Sequence, residues 1–190
     1  MKEVALHALL NRYSVGPKYL VAPGPDDEQL RLMVETALRA PDHGELLPFR
    51  FKAVRTGAAK AKMATLFTAA ARKAGKDDAA CAIDAQRALG PPLTVAVVAR
   101  IDLGHPQVPA HEQWACVGGA IANFLNAAHL LGFGGKMLSG AKVRDAAITA
   151  AFCGPGETLL GWIALGTPVK TPSGPSRKGG VGVALLDWAC

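Results

Sequence analysis

The sequence has few of the residues that build disulfide frameworks or metal centres. Its four cysteines, at positions 81, 116, 153 and 190, lie far apart and form no Cys-x-x-Cys motif. The five histidines show none of the spacings typical of metal ligands. Scattered thiols of this kind are typical of a reducing compartment, so we expect free cysteines, a cytoplasmic location and no metal site.

Motifs for secretion, hydrolysis and dinucleotide binding are also missing. The N-terminus, beginning Met1-Lys2-Glu3-Val4, lacks the apolar stretch and small-residue cleavage site of a secretory signal. No serine lies in a Gly-x-Ser-x-Gly elbow. The segment Gly132-Phe133-Gly134-Gly135 follows a predicted helix and precedes a predicted strand, whereas the dinucleotide fingerprint requires a strand first. We therefore expect neither a serine hydrolase nor a Rossmann domain.

Dense basic stripes and aromatic residues are scarce. Basic residues number 21 against 15 acidic ones, a net charge of +6, but aromatic residues make up only 6% of the chain. One loose basic cluster comprises Lys60, Lys62, Arg72, Lys73 and Lys76. A nucleic-acid-binding surface usually has a denser stripe with interleaved aromatics, so a solvated helix face is the better interpretation. Net charge alone leaves a basic nucleic-acid-binding module as a remote alternative.

The most prominent feature that is present is a long apolar helix, predicted from Trp114 to Leu131. Its only polar side chains are Cys116, Asn123, Asn126 and His129. Apolar residues cover nearly every direction of the helical wheel, which predicts a helix buried on all sides. The polar residues in its second half and the lack of a second apolar span argue against a membrane segment. We expect the central helix of a domain, or of a dimer with a shared core.

Small residues occupy the first half of this helix. They are Gly118, Gly119, Ala120 and Ala122. Each glycine costs about 1 kcal/mol of helix propensity, so a compensating close approach of another backbone is expected.

The rest of the chain alternates between helical and extended patterns. Helices are predicted over residues 2–11, 26–38, 57–73, 77–89 and 143–152, and strands over residues 49–55, 93–99, 136–139 and 158–165. No internal repeat or domain boundary interrupts them, so residues 1–190 are predicted to form a single α+β domain. Residues 169–190 form a tail rich in Pro, Gly, Ser and Lys, with a short apolar end that favours packing against something.

Three polar groups lie at the ends of these elements. Arg12-Tyr13-Ser14 closes the first helix and offers a cation beside hydroxyls, which suits an anionic phosphate. Arg39 and His43 flank a proline-containing loop, and Ser139 ends a strand after the long helix. Each group alone also has a structural explanation: an arginine capping helix carbonyls, a histidine bonded in a loop, a serine in a turn.

In their joint order these segments resemble the flavin-dependent nitroreductase family, in particular its short bacterial single-domain branch. The resemblance covers most of the chain. It is carried by Asn11-Arg12-Tyr13-Ser14, Arg39-Ala40-Pro41-Asp42-His43-Gly44, Glu112-Gln113, Gly132-Phe133-Gly134-Gly135 and Leu165-Gly166-Thr167-Pro168.

The resemblance implies a nitroreductase-like fold, in which a mixed β-sheet is wrapped by helices and two chains intertwine along the long helix. It implies FMN at the interface of a homodimer, with the tail of residues 169–190 packed on the partner chain. The implied FMN contacts are Arg12, Tyr13 and Ser14 from one subunit, Arg39 and His43 from the other, and Lys136, Met137, Leu138 and Ser139. The implied NAD(P)H contacts are Ala127, Ala128, His129, Leu130, Leu131 and Gly132.

Two residues depart from the family pattern. Tyr13 replaces the second arginine of Arg-Arg-Ser, and Leu138 replaces the arginine of Trp-Arg-Ser. On a strand, Lys136 points to the same face as Leu138 and could substitute for that arginine, although it lies roughly 7 Å away along the strand. Further candidates are Lys142, Arg177 and Lys178.

The sequence therefore predicts an FMN-dependent NAD(P)H oxidoreductase that reduces a nitroaromatic, a quinone or another conjugated acceptor. Because the flavin would carry the chemistry, no catalytic acid or base is expected among the side chains. A non-catalytic or weakly flavin-binding member of the same fold is the first alternative, and Leu138 favours it. No nucleic acid and no membrane are expected as partners.

Overall fold

The computed structural model describes residues 2–170, together with residues 184 and 188. Its helices are α1 (Lys2–Leu10), α2 (Asp27–Ala37), α3 (Gly57–Lys73), α4 (Asp78–Leu89), α5 (Ala110–Leu130) and α6 (Ala146–Phe152). Its strands are β1 (Leu20–Val21), β2 (Phe49–Val54), β3 (Leu93–Ala99), β4 (Gly134–Leu138) and β5 (Thr158–Pro168). Short 3₁₀ turns lie at Pro17–Tyr19, His43–Glu45 and Ala141–Arg144.

Strand β5 organises the sheet. It pairs with β3 along one edge and with β4 along the other, while β2 extends the sheet beyond β3 and β1 pairs with the last two residues of β5. These strand pairs are all antiparallel. The parallel part of the expected mixed sheet is reduced, within the described residues, to an isolated bridge between Ser14 and Gly135. The α+β class is confirmed.

Alternating residues of β3 face two different layers of helices. Leu93, Val95, Val97 and Ala99 join a core with residues of α2 and α5. Ala96 and Val98 join a second core with residues of α3, α4 and α6. The sheet is therefore the middle of three layers, which explains why every residue of β3 is buried.

Helix α5 is not buried on all sides within one chain, contrary to the expectation from its sequence. Val117, Ala120, Phe124 and Ala128 pack into the core. Residues on its other side remain accessible, among them Trp114 at 39% and Leu130 at 53%. A sequence pattern reports only that a surface is apolar, and it does not say whether its own chain covers that surface. No helix among the described residues is long and apolar enough to cross a bilayer.

The close approach expected at the small residues of α5 is present at one of its two glycines. A side chain at Gly119 would place its Cβ atom 3.3 Å from the Cβ atom of Ala40, in the loop after α2. At Gly118, by contrast, a Cβ atom would have no neighbour within 4 Å. One glycine thus accommodates the loop of residues 39–44, and the other lies on the accessible side.

Most predicted elements are present, but several bounds differ. Helix α5 begins at Ala110 and not at Trp114, and β4 covers Gly134–Leu138 and not residues 136–139. Asp26 caps α2 in a capping box with Gln29, as the sequence indicates. The predicted helix over 143–152 begins only at Ala146, because Asp145 caps it and the preceding four residues form a 3₁₀ turn. The two-residue strand β1 has no counterpart among the predicted elements, and β5, predicted to end at residue 165, runs on to Pro168. The predicted packing of the tail lies almost wholly outside the described residues.

Candidate functional site

The Arg12-Tyr13-Ser14 segment lies beside the start of β4. The backbone N–H of Val15 donates to the carbonyl of Gly135 over 3.2 Å, next to the bridge between Ser14 and Gly135. Upstream, the Nε2 atom of His129 donates to the carbonyl of Ala8 over 2.9 Å, which ties α1 to the end of α5. These bonds hold the loop after α1 against the strand that follows α5.

Glycine at position 134 makes this approach possible. A Cβ atom there would lie 2.9 Å from Cγ2 of Val15 and 2.8 Å from Cδ2 of Leu20. The glycine pair after α5 therefore has a packing role, and its likeness to a nucleotide loop is superficial.

Strand β4 presents its side chains alternately to the two faces of the sheet. Met137 packs against the core shared with α2 and α5, whereas Leu138 packs against a smaller cluster formed by Val15, Leu20 and Ala164. Lys136 lies two residues before Leu138 and so shares its face, as expected. Ser139 follows the strand and is exposed.

The second group of site candidates lies in the loop after α2. Nδ1 of His43 lies 2.7 Å from Oε2 of Glu112, in the first turn of α5, and the His43 side chain is 61% exposed. The carboxylate of Asp42 accepts from the backbone N–H of Leu47 over 2.8 Å. Arg39 is exposed at the surface of the same loop. The loop is thus fixed to the N-terminal half of α5.

The thiol of Cys116 lies beneath this loop but is not reactive. Burial raises the pKa of Cys116 to about 11, and the negative charge of Asp42 and a hydrogen bond with it act in the same direction. The thiol is therefore protonated at neutral pH, and a thiolate would be needed for nucleophilic or metal-binding chemistry.

The two groups of candidates lie at opposite ends of α5. His129, which holds α1, and Glu112, which holds His43, are separated along the helix by about 25 Å, given a rise of about 1.5 Å per residue. One chain therefore does not bring Arg39 and His43 to Arg12 and Ser14. A site that uses both groups requires two chains.

The candidate cations differ in how far they are already paired. Within residues 2–170, Arg12, Arg39 and Lys136 take part in no ion pair. Lys142, a candidate substitute for the missing arginine, donates instead to the buried carboxylate of Asp84 over 2.9 Å. Lys136 is thus the better placed of the two lysines to meet an added anion.

The stretch expected to contact a nicotinamide nucleotide is only partly accessible. Ala127 and Ala128 are buried in the core, His129 is half-buried, and Leu130, Leu131 and Gly132 are exposed. The rings of Tyr13 and His129 meet edge-on, with centroids 6.5 Å apart. Both line a cavity of about 120 Å³ together with Gly132 and Phe133. Tyr13, which departs from the family pattern, therefore lies where the predicted FMN-binding and NAD(P)H-binding segments meet.

The sequence patterns did not predict a cluster of charged side chains around Asp84. Asp84 is 1% exposed and contacts Lys76, Arg87 and Lys142. The spacing of Cys81, Asp84 and Ala88, all buried in α4, could have indicated a carboxylate on an apolar helix face. Arg87 follows Asp84 at i+3 on the same helix, whereas Lys76 and Lys142 lie outside α4, where no periodicity connects them to Asp84.

A family profile, that of the Nitroreductase family, matches residues 9–167. The chain belongs to the nitroreductase family. Among curated proteins, YdjA of Escherichia coli strain K12, which carries the provisional name NAD(P)H nitroreductase, is 33% identical over 165 residues, covering 86% of this chain and 88% of YdjA. The family pattern thus extends over both groups of candidate residues.

Solved structures of the nitroreductase family share the fold. The FMN-dependent nitroreductase NfnB of Mycobacterium smegmatis, in complex with NADPH, superposes with a TM-score of 0.78 at 13% identity, with all of both chains covered. A provisionally named nitroreductase from Desulfovibrio desulfuricans, in complex with FMN, gives a TM-score of 0.70 at 23% identity, covering 98% of this chain and 97% of that one. The nitroreductase-like fold expected from the sequence is confirmed.

Proposed function

We propose that this nitroreductase-family chain is an FMN-dependent oxidoreductase that takes hydride from NAD(P)H and reduces a nitroaromatic, a quinone or another conjugated acceptor. Family membership supports an oxidoreductase, and related structures in complex with FMN or NADPH support the cofactor and the donor. The observation that carries the proposal is the placement of Ser14, two residues after Arg12, against β4, beside a strand face whose Lys136 has no ion pair among the described residues.

The residues present fit FMN in their chemistry. Arg12 offers an unpaired guanidinium for a phosphate, Ser14 and Tyr13 offer hydroxyls, and Lys136 offers an ammonium group on the adjacent strand. When bound, FMN supplies the hydride-transfer chemistry that side chains lack. The role of the chain is to bind and orient the flavin. The apolar side chain of Leu138, on the same face of β4 as Lys136, excludes water beside it, and Met137 supports the strand from the core on the opposite face.

The proposed site is formed by two chains. His43 lies at Glu112, about 25 Å along α5 from His129. Arg39 is next to Ala40, which lies against Gly119, about 15 Å from His129. Both residues therefore act on the flavin held by a partner chain. The accessible apolar side of α5 and the exposed apolar residues of α1, namely Val4, Leu6 and Leu10, offer a surface for a second copy. We propose a homodimer along α5, with the tail of residues 169–190 packed on the partner.

Contacts with the nicotinamide nucleotide are proposed for the segment from Ala127 to Gly132. Because Ala127 and Ala128 are buried, they would act by supporting the backbone, and direct contacts would come from His129, Leu130, Leu131 and Gly132. A cytoplasmic location is also proposed; Cys81, Cys116 and Cys153 are free thiols, as a reducing compartment requires.

One specific observation favours a second candidate function, a weakly flavin-binding or non-catalytic member of the fold. Leu138 stands where the branch carries an arginine, and Lys142 is held by Asp84. A phosphate monoester carries about −1.5 to −2 charges, so Arg12 alone does not neutralise it.

The visible spectrum of the purified protein, with and without added FMN, separates the two functions. Protein-bound flavin that is bleached by NADH or NADPH under anaerobic conditions and recovers its colour on adding a quinone supports the oxidoreductase. Flavin that binds but is not bleached by either nucleotide supports the non-catalytic member. The absence of saturable FMN binding would contradict the proposed cofactor.

A further inference from the structure

We propose that a cavity between α3, α4 and residues 141–145 binds the phosphate group of a small molecule, at a site separate from that of the flavin. The cavity has a volume of about 290 Å³. Its charged lining consists of Lys73, Lys76, Asp84, Lys142, Arg144 and Asp145. None of these six residues is among the proposed flavin contacts.

Asp84 is the fixed centre of the cavity wall. Its side chain is 1% exposed and accepts from Lys76 and Arg87 over 2.8 Å each and from Lys142 over 2.9 Å. Burial alone raises the pKa of Asp84, but hydrogen bonds and attraction from Lys76 and Lys142 outweigh it and lower the pKa to about 2. The carboxylate is therefore ionised at neutral pH, and it holds the three cations in place.

The cations around the cavity exceed the anions. Its described lining has four cations, Lys73, Lys76, Lys142 and Arg144, and two anions, Asp84 and Asp145, which leaves two positive charges uncompensated. Arg144 has no ion pair among the described residues, and Lys73 approaches Asp145 only to 3.9 Å. The Asp145 carboxylate also accepts from the backbone N–H groups of Ala147 and Ile148. Clustered like charges repel one another, so the arrangement favours an added anion.

The cations are not needed to cap the neighbouring helix. The last carbonyls of α3 already accept from the backbone N–H groups of Ala74, Gly75 and Lys76. Lys76 directs its ammonium group to Asp84 and not to the helix end. Helix capping therefore does not account for the positive charge at this cavity.

The charge and chemistry of the cavity suit a phosphate group. A phosphate monoester at neutral pH carries about −1.5 to −2 charges, which matches the two uncompensated positive charges. Lysines bind phosphate as compact charges, and an arginine adds a planar donor. The uncharged wall contains alanines, including Ala70, Ala74 and Ala141, so the space beside the cations is not filled by large side chains.

Calorimetric titration of the whole protein with inorganic phosphate, with and without saturating FMN and at constant ionic strength, tests the proposal. Two variants remove cations of the cavity, Lys73→Met and Arg144→Met. Lys62→Met is the matched control, because Lys62 is also an exposed lysine of α3 but does not line the cavity. We expect each cavity variant to weaken phosphate binding about fivefold or more, and the control by less than about twofold.

The same titration with glycerol 2-phosphate identifies the source of the phosphate group. Tighter binding of the ester supports a phosphorylated metabolite, and tighter binding of inorganic phosphate supports the free ion. The absence of saturable binding of both, or equal weakening by all three variants, would overturn the proposal. Phosphate binding can be measured without flavin, so its failure is distinct from failure of the proposed function.

Separation from the flavin site is tested by titrating Arg144→Met with FMN and with riboflavin. Unchanged affinity for both flavins supports a separate site. If Arg144→Met weakened FMN binding but not riboflavin binding, the cavity would hold the phosphate of the flavin, and the proposal of a separate site would be wrong.

Discussion

Leu138 stands where the short branch of the family carries an arginine, so the proposed flavin site has one positive charge fewer. It packs against the apolar cluster of Val15, Leu20 and Ala164, on the face of β4 that also carries Lys136. An arginine at this position could reach past these apolar neighbours to the phosphate, with the planar, two-pronged grip that a lysine lacks.

The change Leu138→Arg is expected to tighten FMN binding. The gain should be about 1–2 kcal/mol, the scale of one added charged hydrogen bond. Fluorescence titration with FMN measures it, and Leu138→Met, which keeps the apolar character, is the control and should change little. A parent protein that already binds FMN tightly and gains nothing from the arginine would show that the phosphate is neutralised elsewhere.

Arg12 is the cation that we expect to contact the phosphate directly. Arg12→Ala should weaken FMN binding by about 1.5–3 kcal/mol, as expected for loss of a charge-assisted hydrogen bond. Arg31→Ala is the control, because Arg31 pairs with Glu35 on the exposed side of α2. Retention of parental FMN affinity by Arg12→Ala, in the same fluorescence titration, would refute the assignment.

Asp84 is expected to stabilise the fold whether or not the cavity binds an anion. Asp84→Asn leaves Lys76, Arg87 and Lys142 without their shared carboxylate. The expected loss is about 2–3 kcal/mol, below the usual cost of breaking a buried pair because the cations are partly exposed. Urea unfolding measures the loss. Glu35→Gln, which removes an exposed pair of α2, should cost less than about 0.5 kcal/mol.

The contribution of Asp84 should depend on pH in a defined direction. The folded pKa lies near 2, below the ordinary value of 3.8 for an aspartate, so the stabilisation is fully present above about pH 5 and is lost as the pH falls towards 2. The difference in unfolding free energy between the parent and Asp84→Asn should therefore shrink across that range. A difference that stays constant down to pH 2 would contradict the pKa assignment.

At the scale of elements, β5 depends on one glycine. Gly161 has a φ of +143°, and a Cβ atom there would lie 2.0 Å from the carbonyl oxygen of Leu138. The register of β3 against β5 also shifts at this point, between Val97 and Val98. Gly161 thus lies at the register shift between β3 and β5 on one edge of β5, and at the close approach of β4 on the other edge.

Gly161→Ala is expected to destabilise the protein severely, by more than about 3 kcal/mol, because it combines a disfavoured backbone conformation with a backbone clash. Thermal unfolding followed by circular dichroism measures it. Gly57→Ala is the control, since a Cβ atom at Gly57 meets nothing within 4 Å. A Gly161→Ala protein as stable as Gly57→Ala would mean that β4 and β5 do not meet as described.

Elements with strong periodicity could be predicted from the sequence, and elements fixed by tertiary contacts could not. The spacing of Leu30, Met33 and Ala37 predicts α2, and continuous apolar residues predict β3. Strand β1 has only two residues and therefore no alternation to detect. Its pairing with β5 is a long-range contact.

The same distinction applies to the candidate site. The placement of Lys136 and Leu138 on one face followed from strand alternation alone. The pairing of Lys142 with Asp84 joins residues 58 positions apart, and no local pattern indicates it. The structure thus removes one of the four substitutes for the missing arginine that the sequence left open, while Arg177 and Lys178 lie outside the described residues.

At the scale of the whole molecule, α5 determines how the proposed site is assembled. Its two ends hold the two groups of candidate residues, the Arg12 segment near His129 and the Arg39 loop near Glu112. One side of α5 is apolar but accessible in the single chain, although the sequence of the helix predicts complete burial. A second copy packed along that side would bury it and would bring unlike ends of the two helices together.

A mixed dimer tests this central claim most directly. One chain carries Arg12→Ala and the other Arg39→Ala, with different affinity tags so that the mixed dimer is purified alone and titrated with FMN. If each site takes Arg12 from one chain and Arg39 from the other, one site has lost both arginines and the other retains both, so one FMN per dimer should bind with parental affinity. If each site lies within a single chain, both sites are damaged, and a mixed dimer with no site of parental affinity would contradict the account.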